Sequence, residues 1–372
     1  MDNIDRALLL SLISNKRFTV WTNSPSQLIK EFVSLVLHQQ HHFEDADITT
    51  IDLMDCFKNK DDANSDIESD LILRMTNFEK TSYTFKKVIL WKNLQHLELK
   101  HQKCLYEYIN KIDQYDTNAS KLHPNDIRIN DYMIHKPDLF IIIPVLENNL
   151  YHIKIYPPLK QKFWFSINYQ FESEQQAEEE VTKIKPLPFT QESYQFNVQF
   201  LRKESKKVYI APDIKRYIYS LIVHTRNHRL TSLAPRESWL STRSVDEFRE
   251  LCVALVIVQN YNSDDKFVTP DFVKVAMRKI GYWLVDWECN PLFSPDPSTR
   301  EERSEVEAEN LEEIEYQKRI EINMLSGSWF GSDYAYVARY IQKSRSVRDD
   351  NSPTGYSNVI IEDVISKVKP PI

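Results

Sequence analysis

The chain has 372 residues, of which 42% are hydrophobic and 12% aromatic, enough to bury a substantial core, and its length suggests roughly two domains. A formal net charge of −7 excludes the overall basic footprint of a nucleic-acid-coating protein, leaving only local basic patches open. Cys56, Cys104, Cys252 and Cys289 form no C-x-x-C pair, which excludes zinc-ribbon and thioredoxin readings and predicts buried or free thiols in a reducing compartment.

Residues 4–14 read as a helix, followed by the β-rich run Phe18-Thr19-Val20-Trp21-Thr22. The turn formers Asn23-Ser24-Pro25-Ser26 then lead into a helix from about Gln27 to His38, with Leu28, Phe32, Leu35 and Val36 at helical spacing. A second strand is expected at 48–53, and a loop or short helix over the polar stretch 58–70. Lys87-Val88-Ile89-Leu90-Trp91 predicts a third strand, with a helix over about 100–112 and a loop-rich insertion over 113–136. Asp138-Leu139-Phe140-Ile141-Ile142-Ile143 is a continuous apolar run of the kind that forms a parallel strand covered on both faces. Strands alternating with helices to residue 143 predict a three-layer α/β domain at 1–170 with a mainly parallel sheet.

The acidic tract at 171–180 and the prolines at 186 and 188 read as a linker, here taken as 171–204. Helical patterns follow at 214–227, 244–259 and 270–280, the last two opened by Ser244-Val245-Asp246-Glu247 and by Thr269-Pro270-Asp271, and predict a small all-α domain at 205–285. The C-terminal extension, 286–372, carries a charged segment at 299–322 that suits a solvated helix and a mobile loop at 343–357. The N-terminus lacks a basic leader and no apolar run nears about 20 residues, so the expected setting is cytoplasm or nucleus, without a membrane.

The chemistry is constrained by what is missing. Glycine occurs only at Gly281, Gly327, Gly331 and Gly355, so no glycine loop able to bring backbone N–H groups against phosphate can be written into the first 280 residues.

Val208-Tyr209-Ile210-Ala211-Pro212-Asp213-Ile214, Tyr217-Ile218 and His224-Thr225-Arg226-Asn227-His228 resemble the start of the lid in the MoxR and magnesium-chelatase branch of the AAA+ ATPases. Ser241-Thr242-Arg243-Ser244 and the run Lys266 to Val273 resemble the rest of that lid. Over its whole length the chain resembles the fungal maintenance of telomere capping protein 2 family, a divergent relative of that branch, through Leu159 to Phe165, Ile214 to Ile218, His224 to Leu230, Gly331-Ser332-Asp333 and Val364 to Pro371. The resemblance implies an AAA+-like core with a helical lid and a role connected with telomere capping, and it implies no biochemical activity.

Set against an ATPase plan, the chemistry drops out at each station. The P-loop position holds Trp21-Thr22-Asn23-Ser24-Pro25-Ser26-Gln27, with no glycine and no Lys-Ser/Thr pair. The acidic metal-binding pair is replaced by Lys92-Asn93, a cation and an amide that can neither hold Mg²⁺ nor take a proton from water. Asn148 or Asn149 stands where a polar sensor would be, Gln161-Lys162-Phe163 where relatives send an arginine to a neighbour's nucleotide, and Arg243 alone keeps the residue type of its lid position. These observations predict a protein that is not an enzyme, holds no cofactor or metal, and works as an interaction or scaffold protein with protein partners. The first alternative is a non-hydrolysing ATP switch using Asn23, Ser24, Ser26 and Arg243. The second is a nucleic-acid-binding module using Arg202, Lys203, Lys206, Lys207, Lys215, Arg216, Arg226 and Arg229, with Tyr209, Tyr217 and Tyr219 interleaved for stacking; the acidic tracts weigh against it.

Blander readings accompany the remaining polar residues. Ser24 and Ser26 suit helix capping, and His38, His41 and His42 suit the negative end of a helix. His224 and His228 have i, i+4 spacing but no accompanying glutamate for a zinc motif. Trp21 and Trp91, at strand ends, are expected to point toward the vacant cleft and fill it.

Overall fold

Five short runs rich in β-branched and aromatic residues pair into one parallel sheet: β1 (Thr19–Thr22), β2 (Ile48–Asp52), β5 (Val88–Lys92), β8 (Ile141–Glu147) and β9 (Ser166–Tyr169), in the order β2-β5-β8-β1-β9. The computed structural model describes residues 2–58, 64–79, 82–117, 126–129, 132–147, 155–171, 194–233, 240–241, 243–260, 266–285 and 355–371, together with positions 324, 336, 339, 349 and 352. Val20 lies opposite Val145 on one side and Ile167 on the other, and Ile89 lies between Thr49 and Ile142, so the centres of β5, β8, β1 and β9 are apolar and the edge strand β2 adds a half-buried threonine. β8 is buried from Ile141 to Leu146, as a strand covered on both faces must be. It continues past the expected end at Ile143 because Pro144, opposite Trp91, removes only one ladder donor. β9 has no counterpart among the strands expected from sequence. It is four residues long, mixes Ser and Asn with Ile and Tyr, and is held in register by β1.

The helix after β1 departs from the expected winding. α2 (Pro25–Glu31) runs directly into a π-helix, Phe32–Gln40, which His41 closes with an N–H bond to the Val36 carbonyl. The i→i+5 bonding widens each turn, so Phe32, Val36 and Leu37 share the buried face and Leu35, expected there, is 40% exposed. His38 and His41 do end this helix, and their rings bind the Phe43 carbonyl and the Asp5 carboxylate.

The polar stretch after α3 (Leu53–Phe57) becomes the helix α4 (Asn64–Met75). A second sheet, not expected from sequence, combines β3 (Thr76–Glu79), β4 (Ser82–Phe85), β6 (Asp126–Ile129) and β7 (Tyr132–His135) in the order β3-β4-β7-β6. It joins two antiparallel pairs, one ahead of β5 and one between α5 (Leu99–Thr117) and β8, through parallel pairing of β4 with β7.

By compactness the chain divides into two units. The first holds both sheets, residues 155–209 and 250–268, and the second holds 149–154, 210–249 and 269–372. In the first, α6 (Pro157–Lys160) follows β8, and α7 (Tyr194–Ser205) packs against α1 (Asp2–Ser14) within the stretch read as linker. The second contains α8 (Pro212–Arg226), α9 (Arg229–Leu233), the start of α10 (Ser244–Gln259), α11 (Pro270–Leu284) and α12 (Val359–Lys367). An α/β core followed by a helical region is the order that the sequence predicts. The charged segment 299–322 lies outside the described residues.

α12, from the expected C-terminal extension, is a packed member of the helical unit. Asn358 caps it and donates to the Val285 carbonyl at 2.8 Å, while Glu362 receives Arg278 at 2.7 and 2.8 Å and the Tyr282 hydroxyl at 2.8 Å. Burial works to raise the Glu362 pKa, but the hydrogen bonds from Arg278 and Tyr282 outweigh it and hold it below its ordinary value. Gly281 is where the two helices cross: a Cβ there would stand 2.6 Å from Ile361 Cδ1 and 3.1 Å from Cγ1. Gly281→Ala needs the Ile361 side chain to swing its Cδ1 aside and give slightly at Cγ1, whereas Gly281→Leu should destabilise the helical unit by about 1–3 kcal/mol through overpacking. Urea denaturation of both variants checks this, and equal midpoints for Leu and wild type would sink it.

Candidate functional site

Chain order places a crevice at β1. The chain leaves β1 for β2 at one edge of the sheet, returns through β5 to β8 at its side, and then crosses to β9 on its other flank. Ligands of open α/β sheets bind at the carboxyl ends of strands where the order reverses in this way. Here those ends are Thr22, Asp52, Lys92 and Glu147.

The candidate polar groups at this edge are committed to other parts of the chain. The Asn23 side chain clasps the segment after β9, donating to the Phe171 carbonyl at 3.3 Å and accepting from the Phe171 N–H at 3.2 Å. Ser24 occupies the N-cap position of α2, yet its side chain makes no cap bond, and its backbone N–H is taken by the Thr22 hydroxyl at 3.2 Å. The expected capping role therefore fails for Ser24, since the preceding strand end orients it instead.

Ser26, in the first turn of α2, accepts a hydrogen bond from Lys92 Nζ at 3.0 Å. Asn93 adopts a left-handed conformation, φ 63° and ψ 22°, and its side chain donates to Asp52 at 2.8 Å. Asp52 in turn caps α3 through the Met54 N–H at 3.0 Å. Lys92 and Asn93 are thus both tied into the strand edge.

Alternation along β5 sends Lys92 and Trp91 to opposite faces of the sheet. Trp91 is 0% exposed and Trp21 8% exposed, so both are core residues, and Trp91 faces away from the contact that Lys92 makes. Asn148 and Asn149 lie outside the described residues.

Lys162, at the position where ATPases extend an arginine toward a neighbour, turns inward. Its ammonium is 2.8 Å from Asp113 Oδ2 on α5 and 5.6 Å from the centre of the Tyr106 ring, and Arg17 binds the other Asp113 oxygen at 2.7 Å. Burial works to raise the Asp113 pKa, but the charge and hydrogen bond of Arg17 and the bond from Lys162 hold it below the ordinary carboxylate value. Nothing in the local sequence signals this triad, because Lys162 and Asp113 are 49 residues apart.

Arg243 belongs to the second unit, where it faces Glu247 at 3.7 Å, one turn along α10, with a side chain 72% exposed. The candidate nucleotide residues are therefore divided: Asn23, Ser24 and Ser26 stand at the sheet edge of the first unit, and Arg243 just ahead of a helix in the second.

The expected basic cluster divides in the same way. Arg202, Lys203, Lys206 and Lys207 lie in the first unit, and Lys215, Arg216, Arg226 and Arg229 in the second. Arg202 is a fastening residue, donating to the Leu12 carbonyl at 2.6 and 3.0 Å and to the Asp138 carbonyl at 3.1 Å. Arg226 donates to the Leu240 carbonyl at 2.5 Å, Arg216 pairs with Asp213 at 3.0 Å, and Arg229 lies 5.0 Å from the centre of the Tyr336 ring. Of the interleaved tyrosines, Tyr217 is only 3% exposed and has no free face for stacking, while Tyr209 and Tyr219 are 62% and 56% exposed.

The two histidines at i, i+4 spacing also have local partners. His224 donates to the Ser220 carbonyl at 2.8 Å. His228 accepts the Leu230 N–H at Nδ1 and donates from Nε2 to Asp363 at 3.1 Å. Burial depresses the His228 pKa against the opposing pull of Asp363, which suits that neutral tautomer. Among the described residues no group of three or more His, Cys, Asp or Glu could hold a metal ion, and no helix is long and apolar enough to cross a membrane.

The chain is similar to yeast proteins named Maintenance of telomere capping protein 2. It is 30% identical to that of Lachancea thermotolerans over 142 residues, 37% of this chain and 40% of the relative, so this match spans less than half of the relative's length. It is 24% identical to that of Vanderwaltozyma polyspora over 303 residues, 74% of this chain and 78% of that protein. A crystal structure of a candidate ATPase from Cytophaga hutchinsonii superimposes with a TM-score of 0.50 at 17% identity, covering 76% of this chain and 82% of that one. The α/β core thus shares the fold of that ATPase structure. No protein-family model matches the chain.

Proposed function

We propose that this chain is a catalytically inactive AAA+-like protein that serves telomere capping, the role in its relatives' name, as an interaction or scaffold component in the nucleus. The observation that carries this reading is the Lys92 ammonium seated 3.0 Å from the Ser26 hydroxyl. In P-loop ATPases a hydroxyl at the start of this helix and carboxylates at the strand end share Mg²⁺ with the nucleotide. Here a cation of the protein stands on that hydroxyl, where a second cation would meet like charge, and the neighbouring carboxylate, Asp52, is engaged by the Asn93 side chain and the Met54 N–H. Asn93 is an amide and offers no base to activate water. The inward Lys162 extends this to the group that would act on a neighbouring subunit's nucleotide.

An interaction role is supported by the second sheet. Phe78 is 65% exposed, and the Phe78, Tyr83 and Tyr132 rings form a run with centroids 5.0 and 5.3 Å apart. Apolar side chains grouped in solvent suit contact with another protein.

Calorimetric titration with ATP and with ADP, each with and without magnesium, is expected to give no saturable heat at millimolar nucleotide, with Arg243→Ala indistinguishable from wild type. Saturable, magnesium-dependent heat that disappears in Arg243→Ala would replace this reading with a nucleotide switch.

A further inference from the structure

We infer that the surface at the C-terminal end of α7 binds single-stranded nucleic acid, with Lys203, Lys206 and Lys207 tracking phosphates and Phe200, Tyr209 and Phe267 stacking on bases. All of these residues belong to the first unit, and none contributes to the sheet-edge cleft. The inference is therefore independent of whether that cleft holds nucleotide.

Charge and shape coincide here. Lys203 and Lys206 are exposed and make no ion pair among the described residues, while Lys207 and Lys266 share the single carboxylate of Glu204, at 2.6 and 2.8 Å. Among the described residues, these four lysines are accompanied by the one acid Glu204, a local cationic excess on a chain of net charge −7. The aromatic side chains beside them are 44% exposed at Phe200, 62% at Tyr209 and 53% at Phe267. Tyr209 and Phe267 are partners across a parallel bridge, fixed by the Tyr209 N–H to Lys266 carbonyl bond at 3.0 Å and the Val268 N–H to Tyr209 carbonyl bond at 3.1 Å. That pairing holds the two backbones at about strand spacing, roughly 4.8 Å, with an exposed aromatic side chain on each partner.

Exposed rings among lysines are the pattern of a sequence-tolerant single-strand surface, where every base offers a π-face and every phosphate a charge. A duplex would leave the rings unused, since its bases are stacked on one another. An acidic protein partner is less favoured, because protein interfaces are depleted in lysine relative to the rest of the surface. The surface differs from the cluster drawn from sequence. Arg202 is withdrawn by its carbonyl contacts, the cations of α8 and α9 belong to the other unit, and Lys266 and Phe267 join from just ahead of α11.

The test uses the full chain and fluorescence anisotropy with labelled oligothymidylate and oligouridylate of about 15 nucleotides, a duplex of the same length and an oligoglutamate peptide. Binding of either single strand is expected, the two arms showing whether DNA or RNA is preferred. Tyr209→Ala/Phe267→Ala should weaken it about 5-fold to 150-fold for each base left without its ring. Lys203→Ala/Lys206→Ala should lower the slope of log affinity against log salt by about 1.4, at about 0.7 per phosphate, between about 50 and 200 mM salt. Absence of binding at the lower salt overturns the inference, as does binding that neither variant weakens, a duplex bound as tightly as the single strand, or capture of oligoglutamate in place of the strands. Phe200→Ala, on α7 and away from the bridge, gives a second stacking readout should the double aromatic variant unfold. An unchanged affinity in that variant would likewise count against the assignment.

Discussion

Trp91→Ala should destabilise the first unit by about 3–5 kcal/mol, the cost of removing a fully enclosed aromatic side chain. Trp91 sits on β5, flanked by β2 and β8 with Ile51 and Pro144 as its register partners, and is 0% exposed, so no solvent can fill the space it leaves. Its indole N–H has no hydrogen-bond partner among the described residues. The side chain therefore contributes through packing, against the desolvation of one orphan donor. Trp91→Phe keeps part of the volume and removes that donor, so it should cost clearly less than the alanine variant. Urea denaturation followed by circular dichroism separates the cases. A midpoint for Trp91→Ala that matches wild type would mean the residue is not part of the cooperative core. The contrast with Lys92 matters for function. The next residue along faces the other way and holds Ser26, so Lys92→Ala should change the sheet-edge cleft while touching the core much less.

What can be read from sequence depends on whether the controlling interactions are local. β5 and the first half of β8 are legible because their apolar runs are continuous and demand burial on both faces, and β1 and β2 because their residues are mostly β-branched or aromatic. β9, β3, β4, β6 and β7 are not, since each has only four residues and owes its state to partners elsewhere in the chain. Asp126-Ile127-Arg128-Ile129 does alternate, but four alternating residues in a polar stretch are a weak signal without β7 to pair with. Leu35 falls on the wrong face when an α-helical period is applied where π-winding operates. The candidate site is legible chiefly through absences, in the glycine-free turn 23–27 and the Lys92-Asn93 strand end. The bonding partners of those residues are hidden by distance along the chain, 66 residues for Lys92 and Ser26 and 62 for Lys266 and Glu204.

Asp113→Asn should cost about 3 kcal/mol at neutral pH, because it leaves two enclosed cations without a counter-charge. Arg17 and Lys162 are only 13% and 12% exposed, and Asp113 is the acid that both contact. The pH dependence fixes the sign of the effect. Asp113 has a folded-state pKa depressed below its ordinary value of 3.8. Its stabilisation is then fully present above that value and is lost as pH falls through the folded pKa. The gap between wild type and Asp113→Asn should accordingly be constant from neutral pH down toward the ordinary carboxylate range and close below it. A gap that widens on acidification would rule out an ionised Asp113 as the source. Lys162→Met provides the complementary comparison. It removes one cation and leaves Asp113 paired with Arg17, so it should cost less than Asp113→Asn. Were Lys162 instead an arm reaching for a neighbour's nucleotide, its removal would leave stability untouched. A measurable drop in stability for Lys162→Met, together with non-additivity in the double variant with Asp113→Asn, would place this side chain in the architecture of its own unit.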